Sequence, residues 1–403
     1  MQRKRKPIRV KDVVQPGYLS RLRELFLPLH NVGCERDTAG NRRFFFDDYC
    51  LAVMLHCFCP AITSARALQE LSQYPSAQEK LGLVPFSLSV FSESSAVFKP
   101  EMLKEIVANV AAEVHPMGVD PRVDGMRYVV HLVDRTFLKA LPKLACTHTT
   151  GRDGESKYTW SVLVDLQLKM PACDWFDVKP GRPSEVKGLK PRLTPGCCYV
   201  LDRGYQDATF HNAVHAAGSR YVNRVKENLV HQVLKENPVS ADDLAAGVIS
   251  DQWVTIGSKV HNDHPVRLIT LTTEMHEKRR CRGKAKTMTS GKMLVVTNLT
   301  LEDADAGAVA LLYRYRWTIE LFFRFLKQVL GMKHPICQRQ NGVEIFIYCM
   351  VIACLLLYQT LGKKPNISGV RALQFYVVGL TTLEELLGFV QKELDKSSAK
   401  TRA

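Results

Sequence analysis

Tyr313, Arg316, Glu320 and Lys327 occur at the spacing Y-(2)-R-(3)-E-(6)-K inside the stretch AVALLYRYRWTIELFFRFLKQVL, which reads as one helix. At about 100° per residue these four side chains fall within roughly 60° of one another. Leu311, Phe322, Phe325, Leu326 and Val329 project from the opposite side, so a carboxylate flanked by donors occupies a stripe that core packing does not claim. Such a stripe suits an anionic ligand gripped through a metal ion. The plain alternative is an ordinary i,i+4 ion pair between Arg316 and Glu320 on a solvated helix face.

Two further carboxylates stand upstream. Asp202 closes an apolar stretch in YVLDRGYQDATF, and Asp134 closes another β-like run in RYVVHLVD, with Thr136 two residues on. Asp202 before Arg203-Gly204 is also a respectable turn residue. Placed at the ends of adjacent strands, with Glu320 on a helix beside the sheet, the three acids converge in space. Three carboxylates suit in-line displacement at a phosphodiester. Two divalent ions about 4 Å apart activate the incoming oxygen and stabilise the departing one, and Mg²⁺ takes hard oxygen ligands.

The three segments, in this order, resemble the insertion-sequence-four family of DDE transposases. Every position of that family's tyrosine-arginine-glutamate-lysine motif is met, the segment around Asp202 is similar to its D-R-G-Y box, and the resemblance spans roughly residues 120 to 360. It implies an α/β, ribonuclease-H-like catalytic core interrupted by a mainly β insertion. It also implies a DNA transposase that cleaves and joins DNA at insertion-sequence ends, by cut-and-paste. Asp134, Asp202 and Glu320 would be the catalytic and metal-binding acids for two Mg²⁺ ions, with Mn²⁺ able to substitute. Tyr313, Arg316 and Lys327 would contact the phosphate at the end of the non-transferred strand, Arg as a planar fork and Lys as a point charge. The implied partners are double-stranded DNA, namely the terminal inverted repeats and the target, and pairing two ends requires at least a dimer when bound. A domesticated, non-catalytic DNA-binding protein and a metal-dependent nuclease on the same fold are the other functional classes. The chain departs from many relatives in carrying Arg135 directly after the first aspartate; strand alternation turns it to the opposite face. Trp317 and Arg324 border the motif stripe, and packing at the core edge and solvation are their expected roles.

The elements that must hold these residues follow from periodicity. Residues 1–118 are helix-like in GYLSRLRELFLPLH, DDYCLAVMLHCF and EMLKEIVANVAAEV, and are expected to form a helical amino-terminal DNA-binding region. The first part of the core is expected over 119–228, with strands at RYVVHLVD, RTFLKALP, YTWSVLVDLQL, CCYVLD and SRYVNRVKE and helices near PSEVKGLK and QDATFHNAVHAAG. A β-rich insertion over 229–298 carries QWVTIG, VRLITLTTEM and KMLVVTNLT; the second part of the core covers 299–362, and a helical tail 363–403. Trp253 in the insertion reads first as a core residue, with a wedge for a displaced base as the functional alternative.

Composition is consistent with this layout. The 403 residues are 46% hydrophobic, enough for a substantial core, and carry a formal net charge of +15, which favours a polyanionic partner. Basic residues cluster at Arg3, Lys4, Arg5, Lys6 and Arg9 and again from Lys278 to Lys286, where contacts to a phosphate backbone are expected. The 12 cysteines contain no C-x-x-C pair and read as buried reduced thiols. His211 and His215 stand at helical spacing without a third ligand nearby, and His261, Asp263 and His264 read as a polar turn. The apolar run from Ile345 falls short of the usual membrane span and is expected as a buried core helix, with no membrane partner. Without an export signal, the expected location is the bacterial cytoplasm, associated with the nucleoid.

Overall fold

The computed structural model describes residues 22–59, 61–114, 116–140, 148–150, 156–170, 173–257, 260–274, 291–332, 335–337, 339–361, 367–377 and 380–400. Both basic clusters lie outside them.

Four strands open the sheet: β1 (Val129–Lys139), β2 (His148–Thr150), β3 (Ser156–Gln167) and β4 (Cys173–Pro180). β1 does not end at Asp134, as the apolar run alone suggested. It continues through Thr136, Phe137 and Leu138, residues that suit a pleated surface, and stays antiparallel to β3 as far as Lys139↔Thr159. Val129–Asp134 and Arg135–Lys139, read as two strands in the sequence, are therefore one. β4 pairs β3 antiparallel. On the other side of β1 lie β5 (Cys197–Leu201) and β6 (Arg220–Val225), paired parallel. β5 is buried throughout, which is why CCYVL reads as a continuous apolar run and not an alternating one. The order β4-β3-β1-β5-β6 is a mixed sheet within an α/β fold, the fold class expected from the sequence.

The three strands expected between the second and third acids are β8 (Val248–Ile256), β9 (Val266–Thr272) and β10 (Lys292–Thr297), and a fourth, β7 (His231–Asn237), precedes them. β10 pairs β6 antiparallel, so these strands continue the core sheet in the order β6-β10-β9-β8-β7. The free edge of β6, a row of unpaired backbone groups, is thereby covered.

The helices used below are α1 (Phe46–Phe58), α2 (Leu88–Val97), α3 (Leu103–Ala112), α4 (Glu185–Leu189), α5 (Ala208–Ala216), α6 (Ala306–Tyr315), α7 (Trp317–Gln328) and α8 (Gln340–Leu361). α5 is capped by Asp207, whose side chain accepts from the Phe210 amide, and the chain leaves it through Gly218 at φ 72°, a left-handed turn that glycine adopts without a Cβ penalty. α8 is long and apolar enough to cross a membrane, but 89% of its apolar window is buried within the protein. It packs on α1, α2, α3 and β4. The largest hydrophobic cluster joins Phe46, Tyr49 and Met54 of α1 to Phe346 and Met350 of α8 and to Leu132 and Val200 of the sheet. The amino-terminal helices thus share one core with the sheet. A second cluster, with Val133, Tyr199, Phe210 and Tyr221, fills the other face of the sheet. The described cysteines form no disulfide among themselves and are mostly buried.

Candidate active site

Parallel pairing sets the first relationship. Leu132 stands opposite Val200 in the β1–β5 ladder, so two residues further on Asp134 and Asp202 reach the same level. Asp134 shares its strand face with Val130 and Leu132, which belong to the cluster that α7 also joins, and α7 packs against β1. Asp202 follows the last residue of β5 and starts a short turn, with its backbone carbonyl accepting from the Tyr205 amide at 3.1 Å. That carbonyl also accepts from the side-chain amide of Asn223 on β6 at 2.8 Å.

The motif stripe closes on these acids from above. Tyr313 donates its hydroxyl to Asp202 Oδ1 at 3.3 Å. Arg316 places Nη1 3.4 Å from Asp134 Oδ2 and donates through Nη2 to Glu320 Oε1. One guanidinium therefore spans the first and third acids while the tyrosine meets the second. The stripe is not the free surface expected from helical geometry, since Tyr313 and Arg316 are only 6% and 7% exposed. Nor is the motif on one uninterrupted helix. α6 and α7 meet at Arg316, whose amide bonds back three residues to Tyr313 and whose carbonyl accepts from Ile319, tightening the chain locally.

Burial and neighbouring charge set the electrostatics. Burial is the main cause that pushes the Asp134 carboxyl up to about 6; the Arg135 amide and Arg316 pull it down, and the charges of Glu185 and Asp202 push it further up. Burial also opposes the charge on Arg316, but Tyr313, Asp202 and Glu320 more than offset it and raise its pKa. The Lys327 pKa is lowered by burial, and the charge holding it protonated is that of Asp134. All six residues singled out by motif, Asp134, Asp202, Glu320, Tyr313, Arg316 and Lys327, thus lie in one electrostatic unit. The three carboxylates, tied through Tyr313 and Arg316, are hard-oxygen donors of the kind a divalent cation takes.

Two contributors escaped the sequence reading. Asn223 is fully buried, and an asparagine inside the apolar strand RYVNRV was the available signal. Glu185, in PSEVKGLK, gave none beyond a helix start. Arg135 does point away from Asp134, with Nη1 donating to Ser161 Oγ and Nη2 to the Ser184 carbonyl. His211 and His215 serve separate contacts: His211 bonds Asn223 at 2.9 Å, and His215 stacks on His264 at 4.3 Å. On the opposite face of β1, His131, Asp165 and Asp174 present ligand atoms within 4.8 Å of one another, and His131 and Asp165 are paired at 2.8 Å. Trp253 is half-buried, mid-strand in β8 between β7 and β9. Trp317 is 51% exposed, so packing is not its main role.

Residues 126–357 match the family described as the transposase DDE domain. The chain belongs to that family. Membership implies divalent-metal use. Among its relatives, a protein named as the transposase y4zB in Sinorhizobium fredii is 30% identical over 166 residues, covering 41% of this chain and 43% of the relative. One named for insertion sequence element IS4SA in Synechocystis is 29% identical, covering 39% of each chain. A third, named for element IS5377 in Geobacillus stearothermophilus, is 36% identical over 77 residues, 18% of this chain and 20% of the relative. The matches thus span less than half the length of these relatives. The cryo-EM structure of the piggyBac transposase synaptic complex with hairpin DNA aligns with a TM-score of 0.42 at 11% identity, over 99% of this chain and 84% of that one.

Proposed function

We propose that this member of the DDE family is a DNA transposase of the insertion-sequence-four type, cleaving and joining DNA at insertion-sequence ends by cut-and-paste. The observation that carries the proposal is the bridge made by Arg316 between Asp134 and Glu320, with Tyr313 on Asp202. Acids separated by up to 186 positions in the chain are tied to one side-chain set.

Asp134, Asp202 and Glu320 would hold two Mg²⁺ ions, or Mn²⁺ in their place. When bound, such ions activate the attacking oxygen and stabilise the leaving one. The protein's own residues do the rest. β1 and β5 hold two carboxylates at one level, and α7 brings the third. Arg316 is kept cationic by its neighbours and offers a donor fork that a phosphate can take over; Tyr313 adds a hydroxyl donor and Lys327 a charge. The proposed partners are double-stranded DNA, as terminal inverted repeats and as target, bound by at least a dimer; the proposed location is the bacterial cytoplasm, at the nucleoid.

The test is cleavage of DNA carrying the element's own ends. Mg²⁺-dependent cuts by the wild type, lost by at least a hundredfold in Asp134→Ala, Asp202→Ala and Glu320→Ala, are expected, with strand-transfer products once target DNA is supplied. Specific binding without cleavage under any divalent metal would sink the enzymatic reading, and cleavage without joining would reduce it to a nuclease.

A further inference from the structure

We propose that His131, Asp165 and Asp174 form a second metal site, separate from the catalytic acids, that takes Zn²⁺ or a similar imidazole-binding divalent ion in preference to Mg²⁺. It goes beyond the transposase reading and does not depend on it.

The three side chains come from adjacent strands. His131 of β1 stands opposite Gln167, and Val133 opposite Asp165, so His131 and Asp165 are diagonal neighbours on one face of the sheet. That face is otherwise apolar here, with Val133, Leu163 and Tyr199 in its buried cluster. Asp174 arrives through an irregularity in pairing. Asp165 faces Trp175 and Leu166 faces Cys173, which leaves Asp174 as the extra residue of β4, and a bulge of this kind re-aims a side chain. Each residue thereby offers one donor atom, all within 4.8 Å of one another.

An ordinary buried ion pair does not account for this set. His131 Nδ1 lies 2.8 Å from Asp165 Oδ1, with the two side chains 7% and 1% exposed, and one carboxylate is all that such a pair needs. Asp174 brings a second. Among the described residues neither aspartate forms a salt bridge with Lys or Arg. Burial pushes the Asp165 carboxyl up, His131 draws it down, and the charge of Asp174 pushes it up again. A buried carboxylate short of compensating charge is costly, and a dipositive ion answers two carboxylates where one imidazolium does not.

Donor chemistry selects the ion. Imidazole nitrogen suits Zn²⁺, whereas Mg²⁺ keeps to oxygen and water. Three protein donors and a water complete a tetrahedral shell, and donors about 2.0–2.2 Å from such an ion stand roughly 3.4 Å apart. That separation falls between the 2.8 Å of the His131–Asp165 pair and the 4.8 Å span of the cluster. The ion takes the place of the proton between His131 and Asp165, which leaves to solvent. Asp174 is the exposed member, so ion and water enter from its side. Bound there, the ion ties β3 and β4 to β1 three residues before Asp134.

Titration of the chelator-treated full chain with Zn²⁺ in excess Mg²⁺, by calorimetry and by zinc analysis after dialysis, tests the assignment without reference to activity. The wild type is expected to bind one Zn²⁺ and to melt at a higher temperature than in chelator. Asp134→Asn, outside this site, should bind Zn²⁺ as the wild type does. Asp174→Asn changes an exposed residue, so it should melt like the wild type in chelator yet lose at least tenfold in Zn²⁺ affinity. His131→Gln should lose as much. No zinc on the wild type, or wild-type affinity in Asp174→Asn, would overturn the site. So would loss of zinc in Asp134→Asn with retention in Asp174→Asn, which would put the ion among the catalytic acids.

Discussion

Asn223, at the middle of β6, donates its side-chain amide to the backbone carbonyl of Asp202 at 2.8 Å. Its oxygen faces His211 Nε2 at 2.9 Å, which assigns the proton to Nε2 and leaves the buried Nδ1 without a partner. Burial pushes the His211 pKa down to about 4, so the imidazole is neutral at ordinary pH.

Replacing Asn223 by Ala removes a donor from one buried group and an acceptor from another, each worth about 1–3 kcal/mol when left unsatisfied. A melting temperature several degrees lower is expected, together with at least a tenfold loss of DNA cleavage as Asp202 loses its anchor. Wild-type cleavage by Asn223→Ala in a folded protein would mean the turn holds Asp202 without help.

The pKa of Asp134 is raised from its ordinary 3.8 to about 6, so the folded protein takes up this proton more readily than the unfolded chain. The sign follows: the contribution of this carboxyl to stability is greatest below its ordinary pKa and is lost as pH rises through about 6. In chelator, Asp134→Asn is expected to be more stable than wild type at pH 7 to 8, by at most about 3 kcal/mol, and the gain should vanish near pH 4. Denaturant midpoints of the two proteins across that range decide it, and a difference independent of pH would contradict the burial argument.

Asp251 and Arg267 form a buried pair across β8 and β9, at 2.6 and 3.2 Å. The same guanidinium donates to the carbonyls of Leu299, Thr300 and Ala304, the segment that leads into α6 and hence to Tyr313. Asp251→Ala leaves a buried cation, with an expected loss of about 3–5 kcal/mol, measurable by urea unfolding. The double replacement Asp251→Leu with Arg267→Met should recover much of that stability; equal losses in single and double variants would show that the pair is not the cause.

Trp317 stands one turn before Glu320 with half its surface open. Its loss should alter stability by about 1 kcal/mol or less, as at other exposed positions. Stacking on a base contributes about 1–3 kcal/mol, so Trp317→Ala should weaken end binding at least fivefold in a gel-shift titration while Trp317→Phe keeps most of it. Equal affinity for all three would exclude a stacking role.

Residue type and spacing, with the family resemblance they carry, pointed by themselves to the chemistry proposed for this protein. Asp134, Asp202 and Glu320 could be singled out because the first two end apolar runs and the third lies in a Y-R-E-K spacing that resembles the motif of a known family. The strands β3, β5, β6, β8, β9 and β10 were legible from their apolar content. Tertiary structure decided the remainder. That β1 runs past Asp134 depends on its pairing with β3, and that the strands after β6 extend the same sheet depends on β10 meeting β6; neither partner is adjacent in the chain. The burial of Tyr313 and Arg316 could not be read from helical angle, because a helix wheel separates polar from apolar faces but cannot say that acids on a sheet will cover the polar one. Asn223 acquired its place the same way, from a carbonyl 21 residues distant that comes into reach only when β5 and β6 pair.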